Sequence, residues 1–213
     1  MTTQLRLYNH ALRISGERKI ASLSENREPR RLLDDVWDDG FKRAVLEQGY
    51  WNFATRTREA SYNPSIEPSF GFRRAIDKPS DWVRTVSISS DEYFAAPLLD
   101  YHDEGEYWYC DLDTAYIRYV SDDSSYGGDL SLWPESVATY AAYYLAVEIA
   151  GHLTASESKI DRMEKKMARA LTNARSKDAM NQAPAFPPMG SWTSSRGHGG
   201  GRRDRGNRGA LTG

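Results

Sequence analysis

The longest stretch of the chain that is apolar on almost every side covers residues 133–153. Apolar side chains recur along it three and four residues apart, and alanines at every fourth position keep the opposite side thin enough for other backbones to approach. Pro134 and Glu135 suit a helix start, because a proline loses no hydrogen bond there and an acid favours the positive end of the helix dipole. We therefore predict a central, buried helix with neighbours on several sides. Glu148, His152 and the tyrosines of this stretch argue against a membrane span.

Three amphipathic helices are predicted around the central one. The first covers about residues 3–23, and we interpret Gly16 within it as a close helix crossing and not as a break. The second begins near residues 26–29, after a capping-box spacing at Ser22 and Glu25, and ends at Gly49. The last begins after a second capping box at residues 154–157 and runs to about residue 182, antiparallel to the central helix.

The sequence period changes between the second helix and the central helix. Proline and serine in residues 57–70 predict an irregular loop. Alternating β-branched and aromatic residues then predict three strands, over residues 82–88, 107–110 and 115–120. Turn-forming residues 111–114 favour a hairpin between the last two strands.

These elements predict an α+β fold in three parts. A mainly α-helical bundle of four helices takes residues 1–56 and 132–183. A small antiparallel β-sheet is inserted between helices 2 and 3, in a β-rich domain over residues 57–131. An extended tail rich in proline, glycine and arginine follows over residues 184–213 and cannot build a core of its own.

Composition narrows the class of protein. A chain of 213 residues with 39% hydrophobic content favours one compact domain with an appendage. Its one cysteine, Cys110, excludes a disulfide framework within the chain and a cysteine zinc site, and fits a reducing compartment. The first twenty residues carry charges throughout and are typical of neither a secretory signal nor an anchor.

Charge is distributed unevenly along the chain. The formal net charge is −2, but the residues after Gly190 hold five arginines and one aspartate, so this segment is +4 and the residues before it are −6. Residues 91–113 contain eight carboxylates and neither lysine nor arginine. The sequence therefore predicts an acidic surface in the inserted domain and a basic tail.

Few patterns suggest catalysis or a cofactor. The glycine run 199–201 follows no strand and opens no helix, so it does not indicate a phosphate-binding loop. A G-x-S-x-G motif is absent, and Cys110 lies in a predicted strand and not at an activating helix N-terminus. Asp111 and Asp113 could share a calcium ion, but the EF-hand pattern is absent. We expect no cofactor and no metal site.

Five segments together resemble the head-to-tail adaptors of short-tailed bacteriophages, the tail tubular protein A family. They occur in the family's order and span most of residues 5–180: ALRISGERKIASLSE (11–25), YWNFA (50–54), FRRAIDKPSDWVR (72–84), AYIRYV (115–120) and WPESVATYAAYYLAVEIAGHL (133–153). SWTSSR (191–196) also resembles the family, whereas the glycine- and arginine-rich extension beyond it does not.

The resemblance implies a virion structural protein at the head–tail junction, assembled in the host cytoplasm and without catalytic residues. Its copies form a homo-oligomeric, dodecameric ring that joins the portal protein to the tail nozzle protein and surrounds the double-stranded DNA during ejection. A ring channel with an acidic wall would suit DNA passage, because like charges keep the duplex from binding. No sequence-specific DNA binding and no membrane contact are expected.

For an adaptor ring of this kind, we expect three sets of residues to make specific contacts. The tail is expected to dock on the portal through two aromatic residues, with Trp192 as the anchor, and through arginines that pair with carboxylates: Phe186, Trp192, Arg196, Arg202, Arg203, Arg205 and Arg208. A second set is expected to face the channel or the nozzle: Asp100, Asp103, Glu104, Glu106, Asp111 and Asp113. A narrow apolar stripe on the last helix is expected to serve subunit packing: Ile160, Met163 and Met167.

Two other function classes remain open at the level of sequence. A virion-associated peptidoglycan hydrolase needs only two carboxyl groups in environments of different polarity. Residues 91–113, which we call the acidic window, supply several. A nucleic-acid-binding protein could act through the arginine-rich tail, which would neutralise phosphates.

Overall fold

Five α-helices and two antiparallel sheets make up the computed structural model, which describes residues 1–69, 71–94, 97–154 and 156–181. The helices are α1 (Gln4–Ser15), α2 (Glu28–Asp38), α3 (Phe41–Leu46), α4 (Glu135–Leu153) and α5 (Glu157–Ala179). The strands are β1 (Thr55–Ser61), β2 (Arg74–Asp77), β3 (Trp82–Ser89), β4 (His102–Glu104), β5 (Tyr107–Cys110) and β6 (Thr114–Ser121). The mixed α+β class is therefore confirmed.

Helix α4 is the centre of the helical core, as predicted. It contacts α1, α2 and α5, and its buried residues include both the larger apolar side chains and the alanine row. The alanines let the neighbouring helices approach closely, because a methyl group adds little thickness to a helix surface. Ala142 and Ala146 are fully buried. None of the helices in the described part of the chain is long and apolar enough to cross a membrane.

Two glycines end helices earlier than the sequence pattern predicts. Gly16 has φ +82° and caps α1, so the interpretation of this residue as a helix crossing is wrong. Gly40 has φ +90° and separates α2 from α3, so the predicted single second helix is two helices and the described chain has five helices instead of four. Glycine adopts this left-handed conformation without the steric cost that other residues have.

The second helix begins in the predicted place but without the predicted cap. It starts at Glu28, with Pro29 in its first turn. The backbone N–H of Ala21 donates to the Glu25 carboxylate, and the Ser22 hydroxyl contacts that of Ser24. The capping-box residues therefore stabilise the loop before the helix.

The strands form two three-stranded sheets instead of one. The first sheet has the order β1-β6-β3 and the second the order β2-β5-β4, and all pairs are antiparallel. The predicted hairpin between β5 and β6 is wrong, because these strands belong to different sheets. Strand β1 lies where we predicted a loop; most of its side chains are polar and exposed, so it lacks the alternation of a half-buried strand.

Candidate functional site

Among the six acidic residues with a predicted channel or nozzle role, Asp103 has the most contacts with the rest of the fold. It forms an ion pair with Lys78, whose side chain is only 4% exposed. The Thr85 hydroxyl donates to the same carboxylate and accepts hydrogen bonds from the indole N–H groups of Trp82 and Trp108, at 3.1 and 2.7 Å. Since Thr85 and Trp82 lie in β3 and Asp103 and Trp108 in β4 and β5, this polar network joins the two sheets.

Lys78 has further partners that explain why it is buried. Its ammonium group donates to the carbonyl of Gly105 at 2.7 Å and lies 4.1 Å from the ring centre of Trp82. A buried ammonium group needs such compensation, because it loses its water shell. Asp103 therefore stabilises the inserted sheets, which the sequence did not predict.

Asp111 and Asp113 also have basic partners. Arg73 approaches Asp111 at 3.6 Å and donates its backbone N–H to it at 2.9 Å, and Arg74 pairs with Asp113 at 2.6 Å. The acidic window contains no basic residue in the sequence, but residues 73–78 supply three in space. Its negative charge is therefore partly neutralised within the fold.

The other three predicted acidic residues, Asp100, Glu104 and Glu106, are exposed, and none has an ion-pair partner among the described residues. Asp100 and Glu104 line an open cleft of about 530 Å³ together with Glu67, Asp111 and His102. The structure therefore brings four carboxylates to one concave surface. Among the described residues, however, no three His, Cys, Asp or Glu side chains are arranged so that they could hold a metal ion.

A basic cleft on α1 was missed by the sequence reasoning. It has a volume of about 520 Å³ and is lined by Arg6, His10, Arg13 and Lys19, with Glu135 as its one carboxylate. Arg6 pairs with Glu135 at 2.8 Å, and burial together with the charge of Arg13 lowers the pKa of His10. The signal was present in the sequence, because residues 6, 10 and 13 are spaced four and three apart and so share one helix face.

The stripe on α5 contributes to the core of this chain. Met163 is 4% exposed, and Met167 packs partly buried against the helical core. Ile160 is half-buried. A role of these three residues in subunit packing stays a prediction, and the burial of Met163 leaves little of its surface for a neighbour.

Cys110 lies buried in β5, and burial raises the pKa of its thiol. A thiol that stays protonated is a poor nucleophile. The predicted position of Cys110 in a strand is confirmed. The tail residues with a predicted portal contact, 186–208, lie outside the described residues.

Comparison with known proteins adds no assignment, since no family model and no curated protein matches the sequence of this chain.

Proposed function

We propose that this protein is a head-to-tail adaptor of a short-tailed bacteriophage, a structural component of the virion without catalytic activity. The observation that carries the proposal is the ordered set of five segments that resembles the tail tubular protein A family. The contacts among these segments support it. The ring centre of Phe53, from the second segment, lies 6.2 Å from that of Trp133, from the fifth segment. Trp51, also from the second segment, packs against Phe53 with a distance of 6.1 Å between the ring centres.

The third and fourth segments also contact each other, through strand pairing. Strand β3 begins in the third segment and pairs with β6, which contains the fourth. The Tyr119 hydroxyl of β6 donates to Asp81, at the start of β3, at 3.2 Å. The resembling residues in four of the five segments are therefore packing partners within this chain.

In this proposal the helical residues 1–56 and 132–183 form the bundle domain and residues 57–131 the inserted domain. The adaptor copies assemble into a closed, dodecameric ring beneath the portal and carry the nozzle. The unpaired carboxylates Glu104 and Glu106 face the channel or the nozzle, where negative charge keeps the DNA duplex mobile. The tail from residue 184 onward docks on the portal.

Virus particles produced without this protein test the proposal. The expected particles have heads with a portal but lack the nozzle, since nothing joins the two. Supplying the purified chain should restore nozzle attachment. Particles that keep complete tails in its absence would contradict the proposal.

A second candidate is a peptidoglycan hydrolase, and the cleft with Glu67, Asp100, Glu104 and Asp111 is the observation that favours it. Glycoside hydrolysis requires two carboxyl groups across a substrate groove. Turnover of purified cell wall that is lost in both Asp100→Asn and Glu104→Gln, but kept in Glu106→Gln, would support this candidate. Absence of turnover by the intact chain would eliminate it.

A further inference from the structure

The loop after β3 presents two large apolar side chains to solvent. Its ends are held together, because Ser89 pairs with Pro97 and the Leu98 N–H donates to the Ile88 carbonyl at 2.8 Å. Between and beside these contacts, Tyr93 is 81% exposed and Leu99 is 100% exposed. We call the described residues 91–94 and 97–100 the apolar loop. Large apolar side chains that lie exposed close together in a chain are candidates for an interaction surface.

One large side chain of the apolar loop, that of Phe94, contacts the chain's own sheet. Phe94 has φ +54°, which is unusual for a residue with a bulky side chain. The Arg118 guanidinium lies 3.8 Å from the Phe94 ring centre and holds that ring in place. With Phe94 turned toward its own chain, Tyr93 and Leu99 are left for a partner. Glu92 and Asp100 place negative charge beside them.

The charge and the apolar surface of the basic cleft on α1 are complementary to those of the apolar loop. Arg13 and Lys19 are exposed, and neither has an ion-pair partner among the described residues. Leu5 adds an apolar wall to this concave surface. The cleft therefore offers apolar contact and unpaired positive charge together, as the apolar loop offers apolar side chains and negative charge.

We propose that the apolar loop of one copy binds the basic cleft on α1 of the next copy. The inference rests on the proposed ring and names its subunit contact. A ring needs two different, mutually complementary surfaces on each copy, because head-to-tail contacts close only in that way. Asp100 is then assigned to this contact and not to the channel.

A second copy fits the cleft better than a nucleic acid does. Phosphates carry negative charge without apolar surface, and Glu135 beside Arg6 would repel them. The apolar loop brings three carboxylates, those of Asp91, Glu92 and Asp100, beside side chains that can cover Leu5. Opposite charges on the two surfaces also select the orientation of the copies.

A disulfide trap between copies tests the contact. The chain with Lys19→Cys is mixed with the chain with Leu99→Cys and oxidised at high protein concentration; the only native cysteine, Cys110, is buried. The mixed dimer should form roughly tenfold faster than the dimer of either variant alone, since the contact aligns only the mixed pair. Equal rates in all three samples would overturn the proposal.

Charge reversal provides the second arm. Arg13→Glu in the Lys19→Cys chain, or Asp100→Lys in the Leu99→Cys chain, should slow the formation of the mixed dimer. Both substitutions together should restore the rate, because the expected attraction between residues 13 and 100 is then rebuilt with the charges exchanged. The exposed Lys166→Glu on α5 is the matched control and should have no effect. If neither reversal changes the rate, the inference is wrong.

The outcomes separate this inference from the adaptor proposal. Rings on the portal that form despite Arg13→Glu would place the subunit contact elsewhere and leave the adaptor proposal standing. Salt-dependent binding to a DNA duplex that Arg13→Glu abolishes, with an unchanged cross-link, would instead assign the cleft to nucleic acid.

Discussion

At the scale of single residues, the acidic window separates into structural and surface groups. Asp103 contacts a buried lysine side chain and a buried threonine, whereas Glu104 and Glu106, one and three residues further on, have no ion-pair partner among the described residues. Replacement of all three by lysine would therefore disturb the fold, contrary to what their shared charge suggests. The difference arises from Lys78, which no pattern in the acidic window itself indicates.

We predict that Asp103→Lys lowers the free energy of unfolding by about 1–3 kcal/mol, because it leaves the buried Lys78 ammonium without its acceptor and beside a like charge. Chemical denaturation measures the change. Glu104→Lys and Glu106→Lys are the matched controls, and each should change stability by at most about 0.5 kcal/mol. Equal effects of all three substitutions would show that the network at Asp103 contributes nothing.

Asp81 makes stability depend on pH. Burial raises the pKa of its carboxyl group, but hydrogen bonds from Ser121, Arg56 and Tyr119 outweigh burial and hold the pKa below its ordinary value of 3.8. The depressed pKa means that the stabilisation is present above the ordinary pKa and is lost as the pH falls through the folded value. Burial likewise raises the pKa of Tyr119 to about 12, with Asp81 adding to it.

At pH 7 the free energy of unfolding of the Asp81→Asn variant should therefore be lower than that of the unmodified chain. The expected difference is about 1.5–3 kcal/mol, which is the usual contribution of hydrogen bonds to a charged acceptor. The difference should shrink as the pH falls below 3.8. Urea denaturation of both proteins between pH 2 and pH 7 (roughly the range over which carboxylates titrate) measures it. A difference that stays constant over this range would exclude the charge of Asp81 as the cause.

Individual buried residues were predicted where the period of the sequence was strong. The inward side chains of α4 and the alternating residues of β6 and of the first half of β3 are buried as expected. A register shift between Thr85 and Ser87 breaks the alternation of β3. The partners of Asp103 and Asp81 were not predictable, because Lys78 and Arg56 lie 25 residues away from them in each case, and only the fold brings them together. The basic cleft on α1 could have been found from helix spacing alone.

At the scale of elements, the boundaries depend on backbone conformation more than on hydrophobic pattern. The apolar face of α2 continues into α3, so periodicity predicts one helix, but Gly40 turns the chain between them. Sheet pairing was predicted wrongly because short strands and a turn signal between β5 and β6 favour a local hairpin. Three of the four pairs that form join strands separated by tens of residues, and periodicity carries no information on such distant partners. The fourth pair, β4 with β5, is a tight hairpin, but the short, exposed strand β4 gave no strand pattern.

Gly40→Ala should destabilise the protein by about 1–2 kcal/mol, since φ +90° is strained for a residue with a Cβ atom. Gly151→Ala in α4 is the matched control, because a Cβ atom at either position meets nothing within 4 Å. It should instead stabilise the chain by about 0.5–1 kcal/mol, through helix propensity. Thermal unfolding of both variants measures the two shifts. Shifts of the same sign would contradict this account of the α2–α3 boundary.

At the scale of the whole molecule, the compact unit of the described chain extends over Met1–Gln182. The proposed portal contact lies in the tail beyond it. The glycine- and arginine-rich composition of the tail predicts an entropic cost of docking, so we expect each copy to bind weakly and the proposed ring to gain strength through multivalency. Fold and portal binding should therefore be separable.

Truncation after Ala183 should leave a folded chain with unchanged unfolding, because the buried core lies before that residue. The same truncation should weaken portal binding at least tenfold, roughly the loss of one anchored contact. Trp192→Ala should cause part of this loss. Binding to immobilised portal, with a DNA duplex as the second ligand, measures both. A truncated chain that keeps portal affinity and loses DNA affinity would favour the nucleic-acid-binding alternative.

The central claim is that copies of this chain form a ring on the portal. Electron microscopy of the purified chain, mixed with the portal of the same virus, tests it directly. We expect a monomer or small species in the absence of portal, and a closed ring with a central channel beneath the portal after mixing. Portals that remain bare, with the chain still monomeric at saturating concentration, would contradict the claim.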